Sequence, residues 1–272
     1  MSAKSAVARA LEPTVKATLS IASRELRNGF IGPFGWLALS MTQFIIGVVF
    51  VVRLQLFLDP PRAAVLSSYW GLTRIVSAPL YEWLGFLFLL LAPLLTMRAL
   101  NTDRQGNMNV VLLLAPLPSR EIVIGKFLAI LGFYGIQICL VTLLPISLLS
   151  GGRLDWGLLG AQVMGIVLLG SAFAAFGVWI STLVREPAPA AVICFAVLLL
   201  SWLLSWRSGR AADPSELQGD AAYWIHYLSW QRHLEPFLRG LVDTGHAAFF
   251  LLLDCACLLA ATWRLERVRR SR

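Results

Sequence analysis

The chain has 272 residues, of which 58% are hydrophobic and only 14% are charged. Soluble domains carry about 25% charged residues, so this composition excludes an ordinary soluble protein and indicates one embedded in a membrane. The formal net charge is +8, and the positions of the Lys and Arg residues fit membrane topology better than binding to nucleic acid.

Residues 1–33 precede the first long apolar run and contain no apolar core with a small-residue cleavage site, so we expect no secretory signal. Residues 1–12 are typical of an irregular basic leader. Beyond them, apolar residues recur at helical spacing, at Val15, Leu19, Ala22 and Leu26. Charged residues fill the opposite face, at Lys16, Arg24, Glu25 and Arg27. This pattern predicts an amphipathic entry helix that lies along the membrane interface.

Six apolar runs follow, each long enough to cross about 30 Å of hydrocarbon. They cover residues 34–58, 75–97, 127–150, 158–183, 188–206 and 246–263. The sequence therefore predicts an all-α polytopic membrane protein, with six transmembrane helices in one domain of residues 34–263.

The basic residues predict the orientation of these spans. Fifteen of the 23 Lys and Arg residues lie in residues 1–33, 98–126, 184–187 and 264–272. Cytoplasmic loops are enriched in Lys and Arg, so we place these segments, including both termini and the basic tail 264–272, on the cytoplasmic side.

The longest segment on the opposite side covers residues 207–245 and has two parts. Its first part is polar, with Gly, Pro and Asp, and is typical of a loop. From Tyr223 onward, aromatic and apolar residues recur at helical spacing, and Pro236 could start a second short helix. We expect short outer interfacial helices that lead into the sixth span.

The sequence lacks the motifs of several enzyme classes. An ATP-binding loop needs G-x-x-x-x-G-K-[ST], whereas Gly125-Lys126 is followed by Phe127 and has no upstream glycine. We therefore expect no cofactor on this chain, no metal site and no catalytic residue. Ser171 lies in the fourth span far from the outer histidines, and the small residues around it indicate close helix packing instead of proteolysis.

Ionisable side chains inside a membrane are candidates for function. Arg53 and Glu82 lie near the outer ends of their spans, where snorkelling to the surface is the simpler interpretation. Asp254 lies near the middle of the sixth span and could pair with a cation, form a hydrogen bond across helices or stay protonated. A structural role is the favoured interpretation for Asp254.

Three separated blocks of sequence resemble the permease subunits of ABC-2 type transporters, in the GldF-like and NosY-like branch. One block is the entry segment "ASRELRNGFIGPFGW", and another is "HLEPFLRGLVDTGHAAFFLLL" near the end. The block between them runs from "PLLTMR", at residues 93–98, to "EIVIGKF", at residues 121–127. The resemblance thus covers most of the chain.

This resemblance implies a subunit of an ABC exporter in the bacterial inner membrane that acts as a dimer with a second copy or a sister permease. A separate ABC ATPase would bind ATP and Mg, and loop 98–126 would form a cytoplasmic coupling helix that docks on it. The implied coupling residues are Arg98, Asp103, Arg104, Gly106, Leu112, Leu113, Leu114, Pro116, Arg120, Glu121, Gly125 and Lys126. The entry helix contributes Arg24 and Glu25.

Two alternatives remain open at this point. One is a proton-coupled secondary transporter that uses Glu82 and Asp254, although the paired repeats typical of such carriers are not evident. The other is a membrane scaffold that transports nothing. For loop 98–126 itself, the simpler alternative is an interfacial hairpin that tucks under the bundle.

Overall fold

The computed structural model describes residues 3–58, 72–97, 118–148, 154–184, 186–208 and 229–270. These ranges contain eight α-helices, and no strand occurs within them. The helices are α1 (Ala3–Ile31), α2 (Pro33–Leu58), α3 (Leu72–Thr96), α4 (Ser119–Ser147), α5 (Trp156–Leu183), α6 (Pro187–Ser208), α7 (Trp230–Leu238) and α8 (Thr244–Arg270).

Five of these helices are long and apolar enough to cross a membrane. The candidate spans are Pro33–Leu56, Thr73–Thr96, Ser119–Ser147, Trp156–Leu183 and Thr244–Val268. The sixth predicted span, 188–206, falls on α6, whose apolar part in the described residues is shorter, Pro187–Leu203. Within the described residues the all-α fold is confirmed, five helices are consistent with a multi-pass membrane protein, and the sixth crossing stays a prediction.

Helix α5 is the centre of the bundle and packs against α3, α4, α6, α7 and α8. Its glycines permit this close approach. A Cβ placed on Gly170 would lie 3.2 Å from Tyr134 and 3.3 Å from Phe88, whose rings are stacked with centroids 4.1 Å apart. A Cβ on Gly177 would lie 2.6 Å from the methyl group of Thr96. The small residues around Ser171 thus serve helix packing, as the sequence predicted.

Two polar contacts fix the N-terminal end of α5. The Asp155 carboxylate caps the helix by accepting hydrogen bonds from the backbone N–H groups of Gly157 and Leu158, at 3.0 and 3.1 Å. The backbone N–H of Asp155 donates to Thr73 Oγ1 at 3.0 Å. The start of α5 is therefore tied to the start of α3.

Several predicted boundaries need correction. The chain is helical from Ala3, although residues 1–12 were expected to be irregular, and α8 continues to Arg270, so the described part of the basic tail is helical. Pro236 does not start a new helix but lies inside α7.

The third span also begins earlier than residue 127, since α4 starts at Ser119 directly after Pro118, whose backbone is extended. Glu121 lies in the first turn, where a negative charge complements the helix dipole. Residues 119–126, predicted as the exit of the coupling loop, are thus the first two turns of a membrane-spanning helix.

Candidate functional site

The predicted coupling residues divide into two groups. Eight of them lie outside the described residues, namely Arg98, Asp103, Arg104, Gly106, Leu112, Leu113, Leu114 and Pro116. The other four, Arg120, Glu121, Gly125 and Lys126, all lie in the first two turns of α4. The structure therefore shows the segment into which the predicted coupling helix leads.

These four residues do not form one exposed rim. Arg120 is exposed, whereas Glu121 and Lys126 are buried, with 6% and 3% of their surface accessible. Within the described part of the chain, Glu121 Oε2 accepts no hydrogen bond. Arg120 is the member of this group that could touch another protein directly.

Helix α1 packs directly on this start of α4, and Gly125 is the point of closest approach. A Cβ on Gly125 would lie 2.8 Å from Ile21 Cγ2 and 3.2 Å from the carbonyl oxygen of Thr18. Leu26 makes a similar contact about two turns further along α4, since a Cβ on Gly132 would lie 3.2 Å from Leu26 Cδ2. Glycines on α4 thus form a groove for α1.

The predicted apolar face of α1 is confirmed in part, since Ala22 and Leu26 pack on the bundle and Leu19 does not. Ile21 and Ala22 are buried, whereas Leu19 is 57% exposed. The predicted charged residue Arg24 is exposed, as expected for the outward face. The helix is confirmed, and its contact surface is rotated relative to the expected stripe because α4, which a single sequence does not reveal, selects the face that packs.

An ion pair joins α1 to the start of α4 at this junction. Glu25 Oε1 on α1 lies 3.6 Å from Lys126 Nζ on α4, and the two side chains are 29% and 4% exposed. A charge inside a membrane protein needs a partner of opposite sign, so this pair makes the buried position of Lys126 tolerable. The entry helix and the exit of loop 98–126 are therefore one packed unit.

A cavity of about 280 Å³ lies beside this ion pair. It is enclosed by α1, the start of α2, the end of α3 and the beginning of α4. Its lining residues are Glu25, Leu26, Asn28, Gly29, Gly32, Phe34, Leu94, Leu95, Lys126, Ala129, Ile130 and Phe133. The walls are mostly apolar, and the polar groups are confined to one side.

Asp254 forms a hydrogen bond across two helices, which was one of the three predicted outcomes. The Ser171 hydroxyl on α5 donates to Asp254 Oδ2 on α8 at 2.7 Å, and Asp254 is 8% exposed. Ser171 is also within 2.8 Å of the carbonyl oxygen of Leu168. This bond links the two helices that make the most extensive contact in the described bundle.

Glu82 has an exposed side chain on α3. The charges that act on it are Arg53 on α2 and Glu235 on α7. Glu82 and Asp254 therefore have separate surroundings: Asp254 is bonded inside the α5–α8 contact, whereas Glu82 belongs to a group of charges at the outer end of the bundle.

The sequence did not predict how deeply α7 is buried. Four of its nine residues are buried, Trp230, His233, Leu234 and Phe237. A Cβ on Gly165 of α5 would lie 2.9 Å from Phe237 Cγ. The amphipathic pattern was visible, but it was interpreted as an interfacial helix, and α7 instead packs its apolar face onto α5.

Two histidines form a second feature that the sequence did not reveal. His233 Nδ1 on α7 lies 2.8 Å from His246 Nδ1 on α8, and the His233 ring stacks on Phe249 with centroids 3.8 Å apart. The Asp243 carboxylate is 3.6 Å from His246 Nε2. This cluster fixes α7 to the start of α8.

Comparison with known proteins agrees with this architecture. A family model described as ABC-2 family transporter protein matches residues 4–253. No curated protein matches the chain. The match covers α1, the start of α4, α7 and the first ten residues of α8, so it includes the contact between α1 and α4 and the His233–His246 contact. The chain belongs to the ABC-2 transporter family, whose members are membrane permeases of transport systems.

Proposed function

We propose that this chain is the permease subunit of an ABC exporter, in which a separate ATPase binds ATP and Mg and drives the movement of substrate across the bacterial inner membrane. In this proposal both termini are cytoplasmic, and the chain is a permease of the GldF-like and NosY-like branch. The substrate passes between two permease subunits.

The observation that carries the proposal is the packed unit formed by α1 and the start of α4. Loop 98–126 ends inside this unit, at Lys126, which pairs with Glu25. A force applied to the loop by an ATPase would move α4 and α1 together, because Gly125 and Ile21 leave no free space between them. Coupling needs such a rigid connection between the docking element and the spans.

The proposal assigns different roles to the predicted coupling residues. Arg120 is exposed and contacts the ATPase directly, with Arg104 and Leu113 in the loop before it. Glu25, Gly125 and Lys126 act indirectly, by holding α1 against α4. The charged contacts fix the orientation of docking, and the apolar residues of the loop fill a pocket on the partner.

The exposed face of α2 supports the second permease in this assembly. Large apolar side chains are exposed along this helix, with Trp36 at 61%, Met41 at 58% and Phe44 at 74%. On the inner side of α2, Gln43 donates a hydrogen bond to the buried Gln137 of α4 at 3.0 Å. One face of α2 therefore packs on its own bundle, and we assign the exposed face to contact with a neighbouring subunit.

The bonding of Asp254 favours this permease over a proton-coupled carrier. Its contact with Ser171 gives it a packing role, and Glu82 has a different set of charged neighbours. A carrier would need these two carboxyl groups to exchange protons along one path.

Copurification tests the proposal. The chain is coexpressed with candidate ATPases that carry the G-x-x-x-x-G-K-[ST] loop, as wild type and as Leu113→Asp and Arg104→Glu. The proposal expects an ATPase to copurify with the wild type and to be lost from both variants. Arg264→Glu, in the exposed end of α8, is the matched charge-reversal control and should retain the ATPase. Retention by all variants would contradict a coupling role for the loop.

A further inference from the structure

We propose that the cavity between α1 and α4 binds a phospholipid whose headgroup carries both a phosphate and a primary ammonium, as phosphatidylethanolamine does. The site is separate from the proposed contact with the ATPase and from the path between two permeases. Its occupant would be a structural lipid that holds the entry helix on the bundle.

The walls of the cavity suit an acyl chain. Ile130 and Phe133 are buried at 7% and 4% exposure and face Leu26 and Leu95 from the neighbouring helices. Ligand pockets in proteins usually measure about 300–1,000 Å³ and are mostly apolar with a few polar groups. At about 280 Å³, this cavity can take one segment of an acyl chain while the rest of the lipid stays in the bilayer.

The polar side of the cavity carries one charge of each sign. Glu25 and Lys126 both line it, together with the amide of Asn28. Their charged atoms lie 3.6 Å apart, beyond the roughly 2.7–2.9 Å of a direct charge-assisted hydrogen bond. A lipid phosphate can approach Lys126 while an ammonium group donates to Glu25, so the two opposite charges of the lipid match the two of the protein.

This complementarity selects one class of lipid. An anionic headgroup without an ammonium could approach Lys126 but would bring no cation of its own for the Glu25 carboxylate, and like charges repel. A quaternary ammonium has no N–H to donate. The primary ammonium is the headgroup cation that provides both charge and hydrogen bonds.

The position of the cavity agrees with a lipid. It lies beneath α1, whose amphipathic sequence is typical of a helix in the headgroup layer. It also lies between the end of α3 and the start of α4, where two membrane-spanning helices reach the surface. A lipid that binds the folded state here stabilises it, and the stabilisation grows with the logarithm of the lipid concentration once the site is filled.

The inference is tested by adding lipids to the full-length protein, which is first purified and delipidated in detergent. The melting temperature is measured after adding phosphatidylethanolamine, phosphatidylglycerol or phosphatidylcholine. We expect phosphatidylethanolamine to raise the melting temperature by several degrees and the other two to have much smaller effects. Equal shifts from all three lipids, or no shift from any, would overturn the proposed selectivity or the site.

A cavity-filling variant locates the effect. Gly29 lines the cavity, and a Cβ placed on it meets no atom within 4 Å, so Gly29→Leu fills the space without a clash at its first carbon. Gly135 of α4 is equally open but lies outside the cavity, and Gly135→Leu is the matched control. The shift should disappear in Gly29→Leu and persist in Gly135→Leu. A normal response of Gly29→Leu would place the lipid elsewhere.

A second variant keeps the test decisive if Gly29→Leu fails to fold. Glu25→Gln removes the negative partner of the ammonium and leaves the apolar walls unchanged. It should lose the preference for phosphatidylethanolamine over phosphatidylcholine, while native mass spectrometry still detects bound phospholipid. An unchanged preference would refute the role assigned to Glu25.

Discussion

Gly125→Leu should detach the entry helix from α4. The first added carbon would already lie 2.8 Å from Ile21 Cγ2, whereas carbon atoms prefer separations of about 3.5–4.0 Å. Ile21 cannot turn away easily, because a β-branched side chain in a helix has essentially one rotamer. The contact to the Thr18 carbonyl means that the backbone of α1 itself must move.

The net effect can be estimated from two opposing contributions. Overpacking a tight contact costs about 3 kcal/mol at the upper end of its usual range. Replacing glycine by a better helix former returns about 1 kcal/mol. The remaining cost of about 2 kcal/mol corresponds to a shift of about 30-fold toward a detached α1.

Pulsed electron paramagnetic resonance between spin labels at positions 23 and 128 measures this change. Ser23 on α1 and Leu128 on α4 are both exposed, and the four native cysteines are first replaced. The distance distribution should be narrow in the wild type and in the Gly135→Leu control. In Gly125→Leu it should become longer and broader, and adding Ile21→Ala should partly restore it. An unchanged distribution in Gly125→Leu would refute the packed junction.

Three further predictions concern other contacts. Asp254→Leu should lower the free energy of unfolding by about 0.6–1.7 kcal/mol, the range measured for hydrogen bonds between membrane helices. Asp254→Asn should be close to wild type in the same melting experiment. An equal loss of stability in both variants would indicate that a charged Asp254 is required. A double-mutant cycle with Glu25→Gln and Lys126→Gln should give a coupling energy of about 1 kcal/mol, and a value near zero would show that the ion pair contributes nothing. Gly165→Leu should displace α7 and speed proteolysis between residues 229 and 243. Gly160→Leu is the control and should not, because an added Cβ at Gly160 meets no atom within 4 Å. Equal proteolysis rates in the two variants would argue against the packing of Phe237 on α5.

The sequence predicted most of the helices because long apolar runs and the amphipathic entry segment each have a clear local signature. The hydrogen bond that Asp254 accepts from Ser171 was one of the alternatives that the sequence left open, and the packing role of Asp254 stays a prediction. The start of α4 was misplaced because "SREIVIGK" contains three charged residues and appears as a loop when judged by hydropathy alone. Its burial depends on α1.

A single sequence does not allow contacts between residues that are far apart in the chain to be predicted. Glu25 and Lys126 lie on different helices, and nothing in their local sequence connects them. The same applies to His233 and His246, which were judged only by their distance from Ser171. The exposed position of Leu19 shows this limit most clearly, because α1 has two possible apolar stripes and only the glycines of α4 determine which one packs.

Site-specific photocrosslinking would test the central claim most directly, by asking whether loop 98–126 touches an ATPase. A photoreactive amino acid is placed at position 113 in the loop and, as a control, at position 252 in α8, where Leu252 is 70% exposed on the bundle surface. The account predicts a crosslink to the coexpressed ATPase from position 113 and none from position 252. A coexpressed ATPase that copurifies but does not crosslink from position 113 would contradict a coupling role for loop 98–126.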